Sequence, residues 1–385
     1  MLFNFLGHRD PIVQFEISFY PHCQNEDGQV ICYPGSVLEG VVKMTVTEHI
    51  PVQRIKLVFK ANERVNYEAM GWERTETVND RLFAIRTILW GHPANIQAPL
   101  DSWPTLKMGE YNFPFACQMP VINYPPTFDH NLVAITFSMI VGVERAPHYD
   151  SIMSKPVYLR FQPIIETVLT QNLHEVTGST RLTNHISAQI SIPQLAFCIH
   201  EEPLSVPVVV RFISEDNSLA GISQLRVYIK RCYQINYKSY TRSETYIIAS
   251  YHLSKISATA MNIQLKMPSR QKLEPTLAYS KHLTIEYRLV VTVKVRHGPL
   301  SGRKTLLEVP LIFGTLPFGA RGPRQLEAYS HIVDNSSAVN NRPSFLKIEP
   351  IAEEEFLPAY DSEEIPPAYR SNIPSNPNLS TSIQI

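Results

Sequence analysis

Apolar and polar residues alternate with a period of two along much of this chain, and this pattern restricts its fold more than any other feature. Residues 14–19, 42–47 and 54–59 are clear examples. Successive side chains of a β-strand point to opposite faces, so each run has one apolar and one polar face. Two such sheets must pack face to face to bury their apolar sides. The pattern therefore predicts an all-β chain built from β-sandwiches.

The strand patterns also repeat. The repeat pairs residues 42–46 with 208–212, 55–60 with 225–230, 115–120 with 263–268, and 133–143 with 285–295. Four matches in the same order favour two copies of one domain, and 385 residues are enough for two cores. We predict β-sandwich domains at residues 1–165 and 166–320.

The composition changes after residue 320. Residues 321–385 are rich in Ser, Asn, Pro and Glu and have few β-branched residues. Such a segment buries too little apolar area to offset the entropy lost on ordering. We therefore predict a disordered tail over residues 321–385.

The formal net charge is zero but unevenly distributed. Residues 1–168 have a net charge of −4, residues 169–320 one of +8, and residues 321–385 one of −4. The basic central part suggests contact with an acidic membrane surface or acidic cargo, although solvated strand faces would carry the same charge. A neutral chain offers little counterion release, which disfavours nucleic acid as a partner. The residues proposed for membrane or cargo contact are Lys230, Arg231, Lys238, Arg242, Lys266, Arg270 and Lys272.

The cysteines and the N-terminus indicate the cellular compartment. Five cysteines show no C-x-x-C pair and no zinc-type spacing with histidine, so we expect buried free thiols and no metal or other cofactor. Residues 1–10 lack the basic lead and cleavage site of a signal peptide. No stretch reaches the roughly 18–20 apolar residues that span a bilayer. A soluble, cytoplasmic protein is expected.

Two related motifs lie in the predicted tail. They are Leu357-Pro358-Ala359-Tyr360 and Pro366-Pro367-Ala368-Tyr369, surrounded by acidic residues. Proline fixes φ and holds the chain in an extended left-handed helix, which docks on the aromatic groove of a WW domain at little ordering cost. Tyr369 adds specificity, because its ring needs a pocket and its hydroxyl a polar partner. The motifs predict WW-domain binding; the alternative is a proline-rich linker with incidental or phosphorylated tyrosines.

Two copies would bind more tightly than one. The motifs are nine residues apart and span roughly 28 Å when extended. That length reaches neighbouring WW domains, and tethering raises the effective concentration of the second motif to the millimolar range.

Several segments resemble the α-arrestin family across about residues 12–320. Residues 33–42 read Tyr-Pro-Gly-Ser-Val-Leu-Glu-Gly-Val-Val, similar to the family's Pro-Gly and Gly-x-Val pattern. Residues 54–57, 109–115 before Met119-Pro120, and 186–193 also match. The resemblance implies two tandem arrestin-like, immunoglobulin-like β-sandwiches.

The resemblance also implies a function. Family members connect membrane transporters or receptors, as cargo, to HECT ubiquitin ligases that carry WW domains. By this resemblance Pro366, Pro367 and Tyr369 would recruit the ligase, with Leu357, Pro358 and Tyr360 as a second contact. The Leu-Pro-x-Tyr copy departs from the strict pattern, so we expect it to bind more weakly. The adaptor would be cytoplasmic, recruited to the plasma membrane and endosomes, and would promote cargo ubiquitination and endocytosis.

Three other classes of protein fit the sequence less well. An enzyme is disfavoured because no phosphate-binding loop, metal-spaced set or Gly-x-Ser-x-Gly elbow occurs, and histidines such as His130 and His282 are scattered. A retromer-type endosomal sorting scaffold has the same sandwiches but no need of tandem Pro-x-Tyr motifs. An extracellular immunoglobulin-like protein is disfavoured by the odd number of cysteines.

Overall fold

The computed structural model describes residues 13–66, 77–93, 96, 99, 102–145, 151–167, 176–214, 218–238, 240–269, 272–297, 300–329 and 341–347. These residues form two β-sandwiches, as the alternating pattern predicts. Strands and the loops between them make up nearly all of these ranges, and Pro21–Cys23 forms a 3₁₀ turn.

The strands fall into three groups along the chain. The first sandwich contains β1 (Val13–Phe19), β2 (Ile31–Cys32), β3 (Val37–Val46), β4 (Ile50–Pro51), β5 (Arg54–Asn66), β6 (Thr77–Gly91), β7 (Thr105–Leu106), β8 (Gly109–Gln118), β9 (Ile122–Asn123), β10 (Phe128–Asp129), β11 (Val133–Glu144), β12 (Ile152–Met153) and β13 (Val157–Phe161). The second contains β14 (Val176–Arg181), β15 (Ile186–Ile192), β16 (Ala196–Cys198), β17 (Ser205–Ser214), β18 (Ile222–Tyr237), β19 (Tyr240–Leu253), β20 (Ala260–Lys266), β21 (Leu283–His297) and β22 (Leu300–Gly314). Two short strands follow, β23 (Glu327–Ala328) and β24 (Ser344–Leu346).

Two sheets form the first sandwich, with strand orders β1-β3-β8-β24 and β2-β13-β11-β5-β6. Strand β5 lies between β11 and β6, and its alternate residues from Ile55 to Val65 are buried. Aromatic rings fill the space between the sheets: Phe137 stacks on Phe161 at 4.9 Å between centroids, and Phe83 contacts Phe59 at the same distance. The alternation in the sequence therefore supplies the core directly.

The second sandwich repeats this arrangement. Its sheets have strand orders β14-β15-β17-β20 and β16-β22-β21-β18-β19. Strand β18 lies between β21 and β19, as β5 lies between β11 and β6. A short parallel strand closes the larger sheet in both halves, β2 on β13 and β16 on β22. The internal repeat predicted from the sequence is confirmed strand by strand.

The chain returns to the first sandwich after the second one ends. Strand β24 pairs with β8 at the sheet edge, and β23 pairs with β9. The Tyr124 hydroxyl donates a 2.7 Å hydrogen bond to the carbonyl oxygen of Asn341. Residues 321–329 and 341–347 lie in the segment for which we predicted a disordered tail, and each stretch contains a short strand that pairs with the first sandwich. The compact unit ends at Leu346.

Candidate functional site

The tail motifs that carry the functional prediction lie outside the described residues. These are Leu357, Pro358, Tyr360, Pro366, Pro367 and Tyr369, and the same is true of Arg270. The proposed interaction of the motifs with WW domains therefore stays a prediction from the sequence. The other proposed basic residues can be placed.

Lys230 lies on the outer face of β18 and is paired within its own sandwich. Its Nζ atom is 2.8 Å from Oε1 of Glu308, and Nη1 of Arg288 is 3.6 Å from the same oxygen. The hydrogen bond from Lys230 holds the pKa of Glu308 below its usual value. The Lys230 charge is therefore already balanced by Glu308 of β22, which lies two strands away in the same sheet.

The next residue, Arg231, points to the opposite side of β18, where Ile229 and Tyr233 are buried. Its guanidinium forms an ion pair with Glu274, donates a 3.1 Å hydrogen bond to the carbonyl oxygen of Lys272, and lies 4.8 Å from the Tyr233 ring centre. These contacts hold the loop before β21 and leave little charge for a partner.

The remaining proposed residues are spread over both sheets. Arg242 pairs with Glu244 at 3.3 Å, and the Lys238 ammonium lies 5.3 Å from the Tyr237 ring centre. Lys266 ends β20 on the other sheet, and Lys272 is in the following loop. Lys238, Lys266 and Lys272 are exposed. The structure does not gather the six described residues on one face.

A polar network joins the two sandwiches. Ser280 donates a 2.7 Å hydrogen bond from its hydroxyl to Oε1 of Glu63, on β5. Asp80, on β6, accepts from the Lys281 ammonium at 2.7 Å and lies 2.7 Å from Nε2 of His282. Three consecutive residues before β21 thus contact two carboxylates of the first sandwich.

The pKa values of the two carboxyl groups are shifted in opposite directions. Burial raises the pKa of Glu63, and the Ser280 hydrogen bond and nearby His282 only partly offset it. Burial also opposes ionisation of Asp80, but the hydrogen bonds from Lys281 and His282 hold its pKa below the usual value. Hydrogen-bond partners therefore stabilise the charged form of Asp80, whereas burial disfavours the charged form of Glu63.

A second contact between the sandwiches is aromatic. The Nε2 atom of His130 lies 3.6 Å from Oε2 of Glu244, on β19. The centres of the His130 and Tyr233 rings are 5.3 Å apart. Phe128 meets the same tyrosine edge-on at 5.3 Å. Both histidines that looked scattered in the sequence, His130 and His282, lie where the two sandwiches meet. A role in holding the sandwiches together accounts for them.

A basic groove lies on the first sandwich, where the sequence predicted no site. Lys56 and Lys60 of β5 and Arg81 and Arg86 of β6 line a groove of about 480 Å³ on the outer face of the sheet. Residues 1–168 are acidic in total, so a charge count over the segment hid this concentration. The alternate spacing of basic residues along β5 was the available indication, since alternate residues share one face.

The family comparison agrees with the fold. The model of the arrestin (or S-antigen) N-terminal domain matches residues 24–159. These residues start directly after the 3₁₀ turn and end within β13, so they include strands of both sheets of the first sandwich but not β1. Residues 24–159 are an arrestin N-terminal domain.

Two glycines in residues 33–42 of this arrestin domain have physical roles. Gly35 has φ of +79°, a left-handed conformation that suits glycine in the turn before β3. At Gly40 an added Cβ would lie 2.3 Å from the carbonyl oxygen of Ser18, so β1 and β3 approach closely only because the side chain is missing. The arrestin-like pattern in this segment thus follows from backbone packing.

In the part of the chain that the structure describes, no group of three or more His, Cys, Asp or Glu residues is arranged to hold a metal ion. Over the same residues, no helix is long and apolar enough to cross a membrane.

Proposed function

We propose that this arrestin-family chain is an α-arrestin-type adaptor, not an enzyme, that connects membrane transporters or receptors to a WW-domain HECT ubiquitin ligase. The observation that carries the proposal is the pair of Pro-x-Tyr motifs, Leu357-Pro358-Ala359-Tyr360 and Pro366-Pro367-Ala368-Tyr369, following an arrestin fold. A pre-extended proline segment with a tyrosine anchor has the chemistry that WW domains recognise.

The distance between fold and motifs supports tethering. The compact unit ends at Leu346, and Leu357 follows eleven residues later. Eleven residues span at most about 40 Å when fully extended. A ligase bound at the motifs would stay close to cargo held by the sandwiches. The adaptor thus raises the local concentration of ligase at cargo lysines and needs no catalytic group of its own.

The test uses the full-length chain and the tandem WW domains of a HECT ligase. We expect micromolar binding by calorimetry that falls by about a hundredfold in the Tyr360→Ala, Tyr369→Ala double variant, since both motifs contribute avidity. Pro377→Ala is the matched control, because it changes a tail proline outside both motifs. It should bind like the wild-type chain.

The single variants rank the motifs. Tyr369→Ala should weaken binding more than Tyr360→Ala, because only the copy at residues 366–369 has both prolines. If the wild-type chain fails to bind the WW domains, the ligase-adaptor proposal is wrong. An arrestin-fold endosomal sorting scaffold of the retromer type would then explain the sandwiches better.

The basic residues of the second sandwich are a separate proposal for contact with acidic cargo or an acidic membrane surface. Exposure favours Lys238, Lys266 and Lys272 over Lys230 and Arg231, which form ion pairs with Glu308 and Glu274 of the same sandwich. Charge reversal at the three exposed lysines should weaken recruitment of the adaptor to the plasma membrane and endosomes in cells. Unchanged recruitment would remove these residues from the proposal.

A further inference from the structure

The groove on the first sandwich has the geometry of a site for anions. It lies where β5 and β6 pair, with Lys60 opposite Ala84 and Val58 opposite Arg86. Residues Leu57, Phe59 and Ala61 of β5 are buried in the core, so the intervening Lys56, Val58 and Lys60 face outward. The groove volume of about 480 Å³ is in the range of small-ligand pockets.

Three of the four cations in the groove are unbalanced. Lys56 forms an ion pair with Glu144, which also lies 2.8 Å from Nε of Arg54. Across the described ranges, Lys60, Arg81 and Arg86 have no acidic group within ion-pair distance. Three cations lining one small groove repel one another, and an anion bound between them relieves this repulsion.

The other groups in the groove also suit a phosphate-bearing ligand. Asn62 and Asn79 line it and bring side-chain amide donors, while Val58 and Ala84 provide apolar surface. Arg81 and Arg86 can each bind phosphate oxygens through two parallel N–H groups, and Lys60 adds a point charge. No acidic residue is among the described residues that line the groove.

Exposed apolar side chains lie beside the groove on the same sheet face. Ser138 of β11 pairs with Lys60 on one side and with Tyr158 of β13 on the other. Tyr158 is 65% exposed and Met153 of β12 is 58% exposed. Two strand spacings place Tyr158 roughly 10 Å from Lys60 across the sheet. A tyrosine with an apolar body and a polar tip suits the boundary between lipid headgroups and acyl chains.

We propose that the groove lined by Lys60, Arg81 and Arg86 binds the phosphorylated headgroup of an anionic membrane lipid of the phosphoinositide class, with Tyr158 and Met153 resting in the membrane interface. The exposed apolar pair favours a lipid over a phosphorylated peptide, because a peptide in the groove would leave both side chains in water. Binding would place the first sandwich, rather than the second, against the bilayer.

The test measures co-sedimentation of the full-length chain with vesicles. Three compositions are compared: phosphatidylcholine alone, phosphatidylcholine with phosphatidylinositol bisphosphate, and phosphatidylcholine with enough phosphatidylserine to match that charge. We expect the strongest binding to the bisphosphate vesicles and competition by soluble inositol trisphosphate. The Lys60→Glu, Arg81→Glu, Arg86→Glu variant should lose about a hundredfold in affinity at low salt, since each basic residue at an anionic surface contributes about a factor of five.

The matched control makes the same charge change elsewhere. Lys43, Lys107 and Lys255 are exposed and lie outside the groove, and reversing all three should lower the affinity only a few-fold. Circular dichroism and the unfolding midpoint show whether the two triple variants are folded. If the Lys60→Glu, Arg81→Glu, Arg86→Glu variant is unfolded, the Lys60→Gln, Arg86→Gln double variant replaces it. Equal losses in both variants, or binding to phosphorylated peptides but not to vesicles, would overturn the proposal. The WW-domain measurement is independent, so either proposal can fail alone.

Discussion

The Nε2 atom of His282 lies 2.7 Å from the Oδ2 atom of Asp80, and this contact joins the second sandwich to the first. The other ring nitrogen, Nδ1, lies 2.9 Å from the carbonyl oxygen of Asn236. Both ring nitrogens of His282 face oxygen acceptors. A histidine ring donates two hydrogen bonds only when both of its nitrogens carry a proton. Glu63 is fully buried beside this pair and has one oxygen, Oε2, without a hydrogen-bond partner. The contact between the sandwiches therefore brings Glu63, Asp80 and His282 together.

Replacing Glu63 by glutamine should change how stability depends on pH. Burial raises the pKa of this carboxyl in the folded state, so its contribution is complete below the unfolded value of about 4.3 and is lost as pH rises through the folded value. Glu63→Gln removes that loss. We expect its free energy of unfolding to exceed that of the wild type by about 1–3 kcal/mol at pH 8, and by less at pH 5.

Chemical denaturation at several pH values measures this difference. Glu201→Gln is the control, because Glu201 is exposed and lies away from the network. Its stability curve should run parallel to that of the wild type. A parallel curve for Glu63→Gln would show that the Glu63 carboxyl ionises as readily in the fold as in the unfolded chain.

Asp80 should show the opposite dependence. Despite its partial burial, the hydrogen bonds from Lys281 and His282 keep its pKa low, so its contribution is present above the unfolded value of about 3.9 and is lost as pH falls through the folded value. Asp80→Asn should destabilise the chain by about 1–2 kcal/mol at neutral pH, with the difference shrinking in acid. Lys281→Gln is the control, since that side chain is 56% exposed and should cost under about 0.5 kcal/mol. Wild-type stability of Asp80→Asn at neutral pH would contradict this account.

The sandwiches could be predicted from the sequence because their core residues alternate with polar residues along single strands. Strands β5, β18 and β21 each bury every second residue over much of their length, and this pattern is visible in the sequence of a single strand. The contact between Glu63 and Ser280 could not be predicted, since 217 residues separate them and neither lies in a motif.

Charge was harder to interpret than hydrophobicity. Lys230 and Arg231 are adjacent in sequence but point to opposite sides of β18, so a basic dipeptide on a strand is not a basic patch. Lys60 and Arg86 are far apart in sequence yet line one groove, because β5 and β6 pair. A charge count over a segment records neither relation. The position of each residue on its strand and the strand's partner decide which charges meet.

The C-terminal strand offers a third prediction. The Tyr124 hydroxyl holds the carbonyl oxygen of Asn341, and β24 follows three residues later. Tyr124→Phe should cost about 0.5–1.5 kcal/mol and speed amide hydrogen exchange in residues 341–347 more than in β8. Tyr158→Phe removes an exposed hydroxyl of the same sandwich and should change neither quantity. Unchanged exchange in Tyr124→Phe would mean that strand pairing alone holds this segment.

The cysteines give the last prediction, because all five are free and four are buried. Burial raises the pKa of the Cys117 thiol to about 12, and it raises that of Cys32 as well. Thiolate is the reactive form, so these residues should react with N-ethylmaleimide only when the sandwich opens. Cys232 is half-buried on β18, next to the Thr245 hydroxyl at 3.4 Å. Intact-mass spectrometry at neutral pH should show one fast addition, at Cys232, and four slow ones. Cys232→Ser should abolish the fast addition. A fast addition that persists in this variant would mean that one of the four buried cysteines is reactive, which would contradict the packing of the sandwiches.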